Sequence, residues 1–264
     1  MMDLSQFAPE QEQPLERLLP DGGFCSIFRR IGCVGDSLSS GEFEGVHADG
    51  SKEYYDIYEQ SWGQYLGRMC GSKVLNFSKG GMTASEYCKT FAEEKGFWAR
   101  DLACQAYIVA LGVNDLLNYG QPVGSIADID PEDWHNNKPT FAGWYGMIIQ
   151  RLKQIEPRAQ FFLMTIPRDE REGQIPVLAE QHRELLRQMT GFFDNCWLLD
   201  FRQYAPVYDA AFKEKFFLGG HMNPCGYVLT AKMTASYIDW IIRRNMPAFF
   251  ETGFVGTPYR YHLD

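Results

Sequence analysis

The sequence predicts an α/β domain, with a parallel sheet covered by helices on both faces. Three observations lead there. Short apolar runs alternate with longer amphipathic stretches from about residue 26 to residue 244, the pattern of strands and helices in turn. The runs read as continuously apolar rather than alternating, as strands buried on both faces do. Three of them break off into polar turns rich in Gly, Asn and Ser. The 264 residues carry no internal repeat, low-complexity tract or clear linker, so one large domain is expected.

Each element has its own justification. Residues 1–24, with Pro9, Pro14, Pro20 and Gly22-Gly23, read as an irregular leader packed on or beside the domain. A first strand is expected over Ser26 to Val34, ending at Gly35-Asp36-Ser37. Glu42 to Asp56 reads as a polar, aromatic-rich loop holding His47, Tyr54 and Tyr55. A helix over Ile57 to Met69 places Trp62, Tyr65, Leu66 and Met69 on one side, and Gly71 closes it. Lys73 to Phe77 is a second strand, followed by the turn Ser78 to Thr83 and a helix from Ala84 to Glu94. Ala106 to Leu111 is a third strand, ending at Gly112-Val113-Asn114-Asp115.

A long polar loop from Asn118 to Pro139 follows, of the length that often binds ligands. Then come a helix Thr140 to Ile155, a strand Gln160 to Ile166, a helix Val177 to Phe192 and a strand Cys196 to Asp200. After a mixed segment, a last helix is expected over Pro224 to Arg244. The aromatic tail 249–264 is expected on the surface, which leaves 25–248 as the domain proper.

Composition excludes several partners. Hydrophobic residues make up 45% and charged residues 22%, which suits a globular core; the formal net charge is −9. No basic block is present, so neither nucleic acid nor an anionic membrane surface is expected. No segment nears the roughly 18 apolar residues of a membrane span. Met1 to Pro20 has no basic region followed by an apolar one, so no secretory signal is expected. The seven cysteines, Cys25, Cys33, Cys70, Cys88, Cys104, Cys196 and Cys225, are scattered without C-x-x-C spacing. They read as small core residues in a reducing compartment, which points to the cytoplasm. His47, His135, His182 and His262 have no metal-ligand spacing, and no cofactor is expected. Neither G-x-x-x-x-G-K-[ST] nor G-x-G-x-x-G occurs, which argues against a nucleotide binder.

The chemistry concentrates in four short turns: Gly35-Asp36-Ser37-Leu38, Asn76 to Thr83 with Gly81, Gly112-x-Asn114-Asp115, and His221-x-Asn223-Pro224. Each has a plainer reading alone. Gly-Asp-Ser is a common turn, Gly81 a turn glycine, Asn114-Asp115 a helix cap, and His221 a capping histidine. In a parallel sheet, however, the first three turns fall on one edge and converge, where ligand sites gather. As a set, they resemble the SGNH (GDSL-type) hydrolase superfamily, whose signature blocks supply Ser, Gly, Asn and His in this chain order. Here these are Ser37, Gly81, Asn114 and His221, and the resemblance covers about residues 30 to 245.

The resemblance implies a flavodoxin-like three-layer α/β/α sandwich with a mostly five-stranded parallel sheet. It implies cleavage of carboxylic esters through an acyl-enzyme on Ser37, with His221 as general base. The backbone N–H groups of Ser37 and Gly81 and the Asn114 amide would stabilise the oxyanion. The substrate would be a small-molecule ester, such as an acyl group on a carbohydrate or a small alcohol. Acyl transfer to another hydroxyl, or ligand binding without catalysis, are the alternatives. Acyl identity, leaving group and oligomeric state have no signature in the sequence. Asp36 and Asp115 read as structural, with Ser39, Ser40 and Thr83 supporting the turns. His47 and His135 lie in loops able to rim the site. Tyr54, Tyr55, Tyr58 and Trp62 either line an acyl or sugar site or belong to the core.

One position departs from the family pattern. The family usually places an aspartate three residues before the histidine, and this chain has Leu218 there. The expected substitute is the backbone carbonyl of Leu218 or Gly219, accepting from Nδ1–H of His221. A displaced acid, Glu214 or Asp209, is the other candidate.

Overall fold

The computed structural model describes residues 4–263. Met1–Asp3 and Asp264, at the ends of the expected leader and tail, lie outside them. In chain order the strands are β1 (Arg30–Gly35), β2 (Glu42–Val46), β3 (Lys52–Asp56), β4 (Lys73–Ser78), β5 (Ala106–Ala110), β6 (Gln160–Met164), β7 (Cys196–Leu199), β8 (Phe217–Leu218) and β9 (His221–Met222). The α-helices are α1 (Ser37–Ser40), α2 (Trp62–Cys70), α3 (Ala84–Glu86), α4 (Ala92–Glu94), α5 (Phe141–Ile155), α6 (Gln174–Phe192), α7 (Phe201–Tyr204), α8 (Ala210–Phe216) and α9 (Pro224–Arg244). A wide helical turn, Tyr87–Phe91, joins α3 to α4.

Five strands form the central sheet in the order β4-β1-β5-β6-β7, all parallel. Side chains alternate between its faces. On β5, Tyr107 and Val109 enter the core built with Phe141, Tyr145 and Ile148 of α5 and Leu185, Leu186 and Met189 of α6. Ala106 and Ile108 enter the opposite core, with Trp62 and Leu66 of α2 and Tyr227, Ala231 and Ile238 of α9. Burial on both faces explains why these strands read as unbroken apolar runs. The three-layer α/β/α architecture is therefore present, with five parallel strands.

The termini are held to this frame. Arg243 of α9 clasps Glu12 through Nη1–Oε2 at 2.7 Å and Nη2–Oε1 at 3.1 Å, and its Nε reaches Asp239 at 2.7 Å. In the tail, Phe249 and Val255 are buried rather than superficial. Phe249 stacks on Trp197, with ring centroids 5.2 Å apart. An apolar ring next to an uncovered sheet end gains more by covering it than by staying in water.

Three sequence expectations need correction. The first strand begins at Arg30, because Gly23–Ile27 forms a 3-10 turn. The helix expected from Ile57 starts at Trp62, where the Ser61 hydroxyl accepts from Gln64 N at 3.3 Å and caps it. The expected loop 42–56 is a β-hairpin, β2 pairing antiparallel with β3. Its turn holds Asp49-Gly50, with Gly50 at φ +84°, and Asp49 Oδ1 accepts from Ser51 N at 2.9 Å. An Asp-Gly pair between potential strands is a hairpin signal, masked here by charged residues at the expected strand positions.

Candidate active site

β1 hands the chain directly to the site. It ends at Gly35, Asp36 caps α1 by accepting from Leu38 N at 3.2 Å, and Ser37 opens the helix. The Ser40 hydroxyl donates to Asp56 and lies 3.2 Å from Ser37 O. After β4, Ser78 Oγ donates to Cys33 O at 2.8 Å, and Lys79 N reaches Gly35 O at 3.4 Å. Those bonds carry the β1–β4 ladder past the strand ends, and the turn that follows places Gly81 in the same cleft as Ser37. Thr83 then caps α3, accepting from Glu86 N at 3.1 Å.

Asn114 follows β5 and is buried. Its Nδ2 donates to Met82 O at 3.1 Å, and its Oδ1 accepts from Asn118 Nδ2 at 2.7 Å. An amide nitrogen has two donors, so one N–H remains after the Met82 bond. Asp115 Oδ1 accepts from Ala84 N at 2.8 Å, tying the third turn to the second. Burial pushes the carboxyls of Asp36 and Asp115 up to about 7. Both acids thus serve the framework of the turns.

One cleft of about 540 Å³ takes in Ser37, Gly81, Asn114 and His221. Tyr54, Asn118, Asp169, Arg171, Tyr208 and Lys213 also line it. His221 stands on β9, next to the N-cap of α9, where Asn223 Oδ1 accepts from Gly226 N at 3.0 Å. Its Nε2 lies 2.9 Å from Glu42 Oε1, and its Nδ1 lies 3.9 Å from Glu44 Oε2. The ring of Tyr54 meets the imidazole edge-on, with centroids 5.6 Å apart. Burial lowers the imidazole's affinity for a proton, while Glu44 and Asp56 oppose that shift.

The surroundings of His221 overturn both sequence readings of its partner. No carbonyl of Leu218 or Gly219 accepts from Nδ1, which is buried and without a hydrogen bond. Asp209 is committed elsewhere, capping α8 by accepting from Phe212 N at 2.8 Å. Glu214 is exposed on α8. The carboxylates beside the ring come from β2 instead. Glu42 and Glu44 are two residues apart and so share one face of that strand.

The other sequence candidates divide. Tyr54 lines the cleft, Trp62 is core, and Tyr55 is exposed. His47 pairs with Glu53 at 3.2 Å and His135 with Asp133 at 2.6 Å; neither lines the cleft. His182 is buried, its Nε2 3.1 Å from Leu111 O. Six cysteines are buried, but Cys225 is exposed at the start of α9 and is no core residue. All seven are unpaired. Among the described residues, no cluster of three or more His, Cys, Asp or Glu side chains is arranged to hold a metal ion. No helix among them is long and apolar enough to cross a membrane. Glu42, Glu44 and Lys52 escaped the sequence reading because the hairpin carrying them did.

Comparison with known proteins gives the class. The GDSL-like lipase/acylhydrolase family matches residues 33–229, well over half of the chain, and the chain belongs to that family. It is a carboxylic-ester hydrolase of the SGNH superfamily. No curated protein matches the sequence. Among solved structures, a Lactobacillus plantarum protein aligns with TM-score 0.58 and 18% identity, over 80% of this chain and 97% of that one. A family two carbohydrate esterase from Clostridium thermocellum, in complex with cellohexaose, aligns with TM-score 0.57 and 14% identity, over 90% of this chain and 66% of that one. A family 3 carbohydrate esterase from Clostridium thermocellum aligns with TM-score 0.51 and 15% identity, over 82% and 98%. At such identities the likeness is one of fold.

The raised carboxyl of Asp115 has a measurable consequence. Its value is about 7 when folded, against about 3.9 for a free aspartate. The folded state therefore holds the proton more tightly, and this group's stability contribution is lost as pH rises from about 4 to about 7. Asp115→Asn cannot titrate, yet keeps an acceptor for Ala84 N. Its stability relative to the parent should rise across that window, by at most about 1.4 kcal/mol per pH unit. Urea unfolding of both proteins at the two ends of the window measures this. A difference that does not change with pH refutes it.

Proposed function

We propose that the chain cleaves carboxylic esters through an acyl-enzyme on Ser37, with His221 as the general base. The observation that carries this reading is the convergence of Ser37, Gly81, Asn114 and His221 on one cleft. Ser37 attacks the ester carbonyl as its proton passes to Nε2 of His221. The oxyanion then meets the backbone N–H groups of Ser37 and Gly81 and the spare N–H of Asn114. The Met82 and Asn118 bonds fix that amide before substrate arrives, so little reorganisation is needed as charge develops. The imidazolium protonates the departing alcohol, and water releases the acyl group by the same steps.

The cleft supports small, polar alcohol portions. Tyr54 offers a ring face, and Asn118, Asp169 and Arg171 offer hydrogen bonds, a mix that fits acyl groups on carbohydrates or small alcohols. Beneath the Ser37 turn lies an apolar hollow of about 60 Å³, bounded by Leu38, Trp62, Val113, Ile166 and Met222 among others. It shares Leu38, Val113 and Ile166 with the wider site region and favours a short acyl group over a fatty chain. Seven unpaired cysteines fit a reducing compartment such as the cytoplasm.

In the resting arrangement, Glu42 holds Nε2. A neutral imidazole that donates from Nε2 to a carboxylate cannot accept a proton there. Catalysis must therefore exchange the Glu42 bond for one to Ser37.

Three outcomes are expected. Ser37→Ala should abolish hydrolysis of short p-nitrophenyl esters and labelling by an organophosphonate, with circular dichroism unchanged; undiminished turnover by the folded variant rejects the nucleophile. Asn114→Ala should lower kcat by about 10²-fold with KM little altered, since the donor acts on developing charge. A change confined to KM would make Asn114 a substrate-binding residue. Glu42→Ala should speed phosphonate capture at neutral pH by freeing Nε2, whereas slower capture would give Glu42 a positive part in the reaction.

A further inference from the structure

We propose that Glu44 is the acid that positions His221, supplied by the β2–β3 hairpin in place of the residue three before the histidine. The inference rests on His221 being the general base. A general-base imidazole needs its proton on Nδ1, and an anion there to stabilise the imidazolium. Nδ1 is the ring nitrogen that Glu44 faces, at 3.9 Å, and it has no other partner. Glu42 sits at the opposite nitrogen, so the two glutamates favour opposite tautomers and only Glu44 favours the productive one. An approach of about 1 Å would bring Glu44 into hydrogen-bond range of Nδ1.

The Glu44 carboxylate is held ready for that contact. Its side chain is 3% exposed. Oε1 takes Lys52 Nζ at 2.8 Å, and Oε2 accepts from Gly220 N at 3.1 Å. The Lys52 bond, followed by the Gly220 bond, holds the carboxyl below its ordinary range despite burial, so it is an anion at neutral pH. A buried carboxylate is costly unless paired, and here the pairing leaves Oε2 directed toward the imidazole side.

The segment before His221 is shaped around this carboxylate. Gly219, at φ +69°, has no room for a Cβ, which would overlap Glu44 Oε1. A Cβ on Gly220 would lie 3.1 Å from Oε2. Leu218, at the usual acid's position, is 53% exposed and takes no part. The change from an aspartate to Leu-Gly-Gly is thus matched by an acid entering from the hairpin through the space the glycines leave.

The charged and titratable groups facing His221 are Glu42 and Glu44 from β2 and Lys52, Tyr54 and Asp56 from β3; Asp169, Arg171 and Lys213 line the same cleft. Glu44→Gln removes one anion and keeps the shape. We expect kcat to fall by about 10²- to 10⁴-fold, toward the loss seen when a triad aspartate is amidated, with KM little changed. The lower-pH limb of kcat/KM, where the imidazole loses its proton, should move to lower pH.

Asp209→Asn and Glu214→Gln should stay within a few-fold of the parent. If Glu44→Gln is folded, turns over within a few-fold and keeps the parent's pH limb, the inference fails while inactive Ser37→Ala and His221→Ala leave the proposed function standing. If Ser37→Ala stays active, it is the proposed function that fails. Should Glu44→Gln not fold, Glu44→Asp decides. It keeps the anion but draws it back from Nδ1 by one methylene, so kcat should fall by about 10²-fold with KM little changed. A parent-like kcat in the folded variant overturns the inference.

Discussion

The structure depends on β1 being a parallel strand hydrogen-bonded along both edges. Its register sets Gly35 against Ser78 of β4 and against Ala110 of β5. Three chain segments therefore stop at one level on one sheet edge. Ser37, Gly81 and Asn114 follow those stops by two, three and four residues. A slip of one residue would turn each strand's side chains to the other face, and Phe77 and Tyr107 would leave their core. The packing that fixes the register thus also fixes the spacing of the proposed nucleophile and oxyanion donors. Asp115, bonded to Ala84 N, stitches the second and third turns together beneath them.

His221 belongs to no strand of that sheet and needs separate support. β8 and β9 pair Phe217 with Met222 and Leu218 with His221. Asn223 closes this ribbon onto α8, with its N donating to Phe216 O at 2.9 Å and its Nδ2 to Lys215 O at 2.8 Å, and it caps α9. The β2–β3 hairpin leans on the other side. Phe43 meets Tyr227 at 5.5 Å between ring centroids, and the Tyr227 hydroxyl donates to Glu42 O at 2.7 Å. β2 is thereby held against α9, the helix that follows directly after the histidine's strand. The carboxylates of Glu42 and Glu44 reach the imidazole because of that apolar contact, two residues apart on a strand whose other face is packed.

How much of this the sequence revealed follows from where each signal was encoded. The central strands were legible because they are buried on both faces and read as apolar runs. The last helix was legible to its ends because Asn223-Pro224 is a strong start and Arg243-Arg244 a charged finish. Ser37, Gly81, Asn114 and His221 were legible because their residue types sit at strand ends or ahead of a cap. The hairpin was not, since Lys52 to Asp56 is exposed along its length and lacks the alternation of a half-buried strand. Its partner pairing, not burial, makes it a strand. The sequence offers partners for His221 only nearby in the chain, whereas Glu44, the acid proposed for it, lies 176 residues from its backbone donor Gly220. Nothing local in the sequence encodes such a contact.

The charges in the site follow from how each acid is buried. On the proposed mechanism, a chain with formal net charge −9 has to stabilise a negative oxyanion and a positive imidazolium within one cleft. Asp36 and Asp115 lie beneath the oxyanion side without a cationic partner, and burial raises both to about 7. Near and below neutral pH much of their charge is withheld from the place where a second anion forms. Glu44 has Lys52 and the Gly220 N–H, and these keep it ionised on the histidine side. The acids divide because desolvation favours the neutral form and a paired ammonium favours the anion. The fold sorts these carboxyls by whether a cation lies beside them, and so, on the proposed mechanism, negative charge stands beside the imidazole and is thinned around the oxyanion.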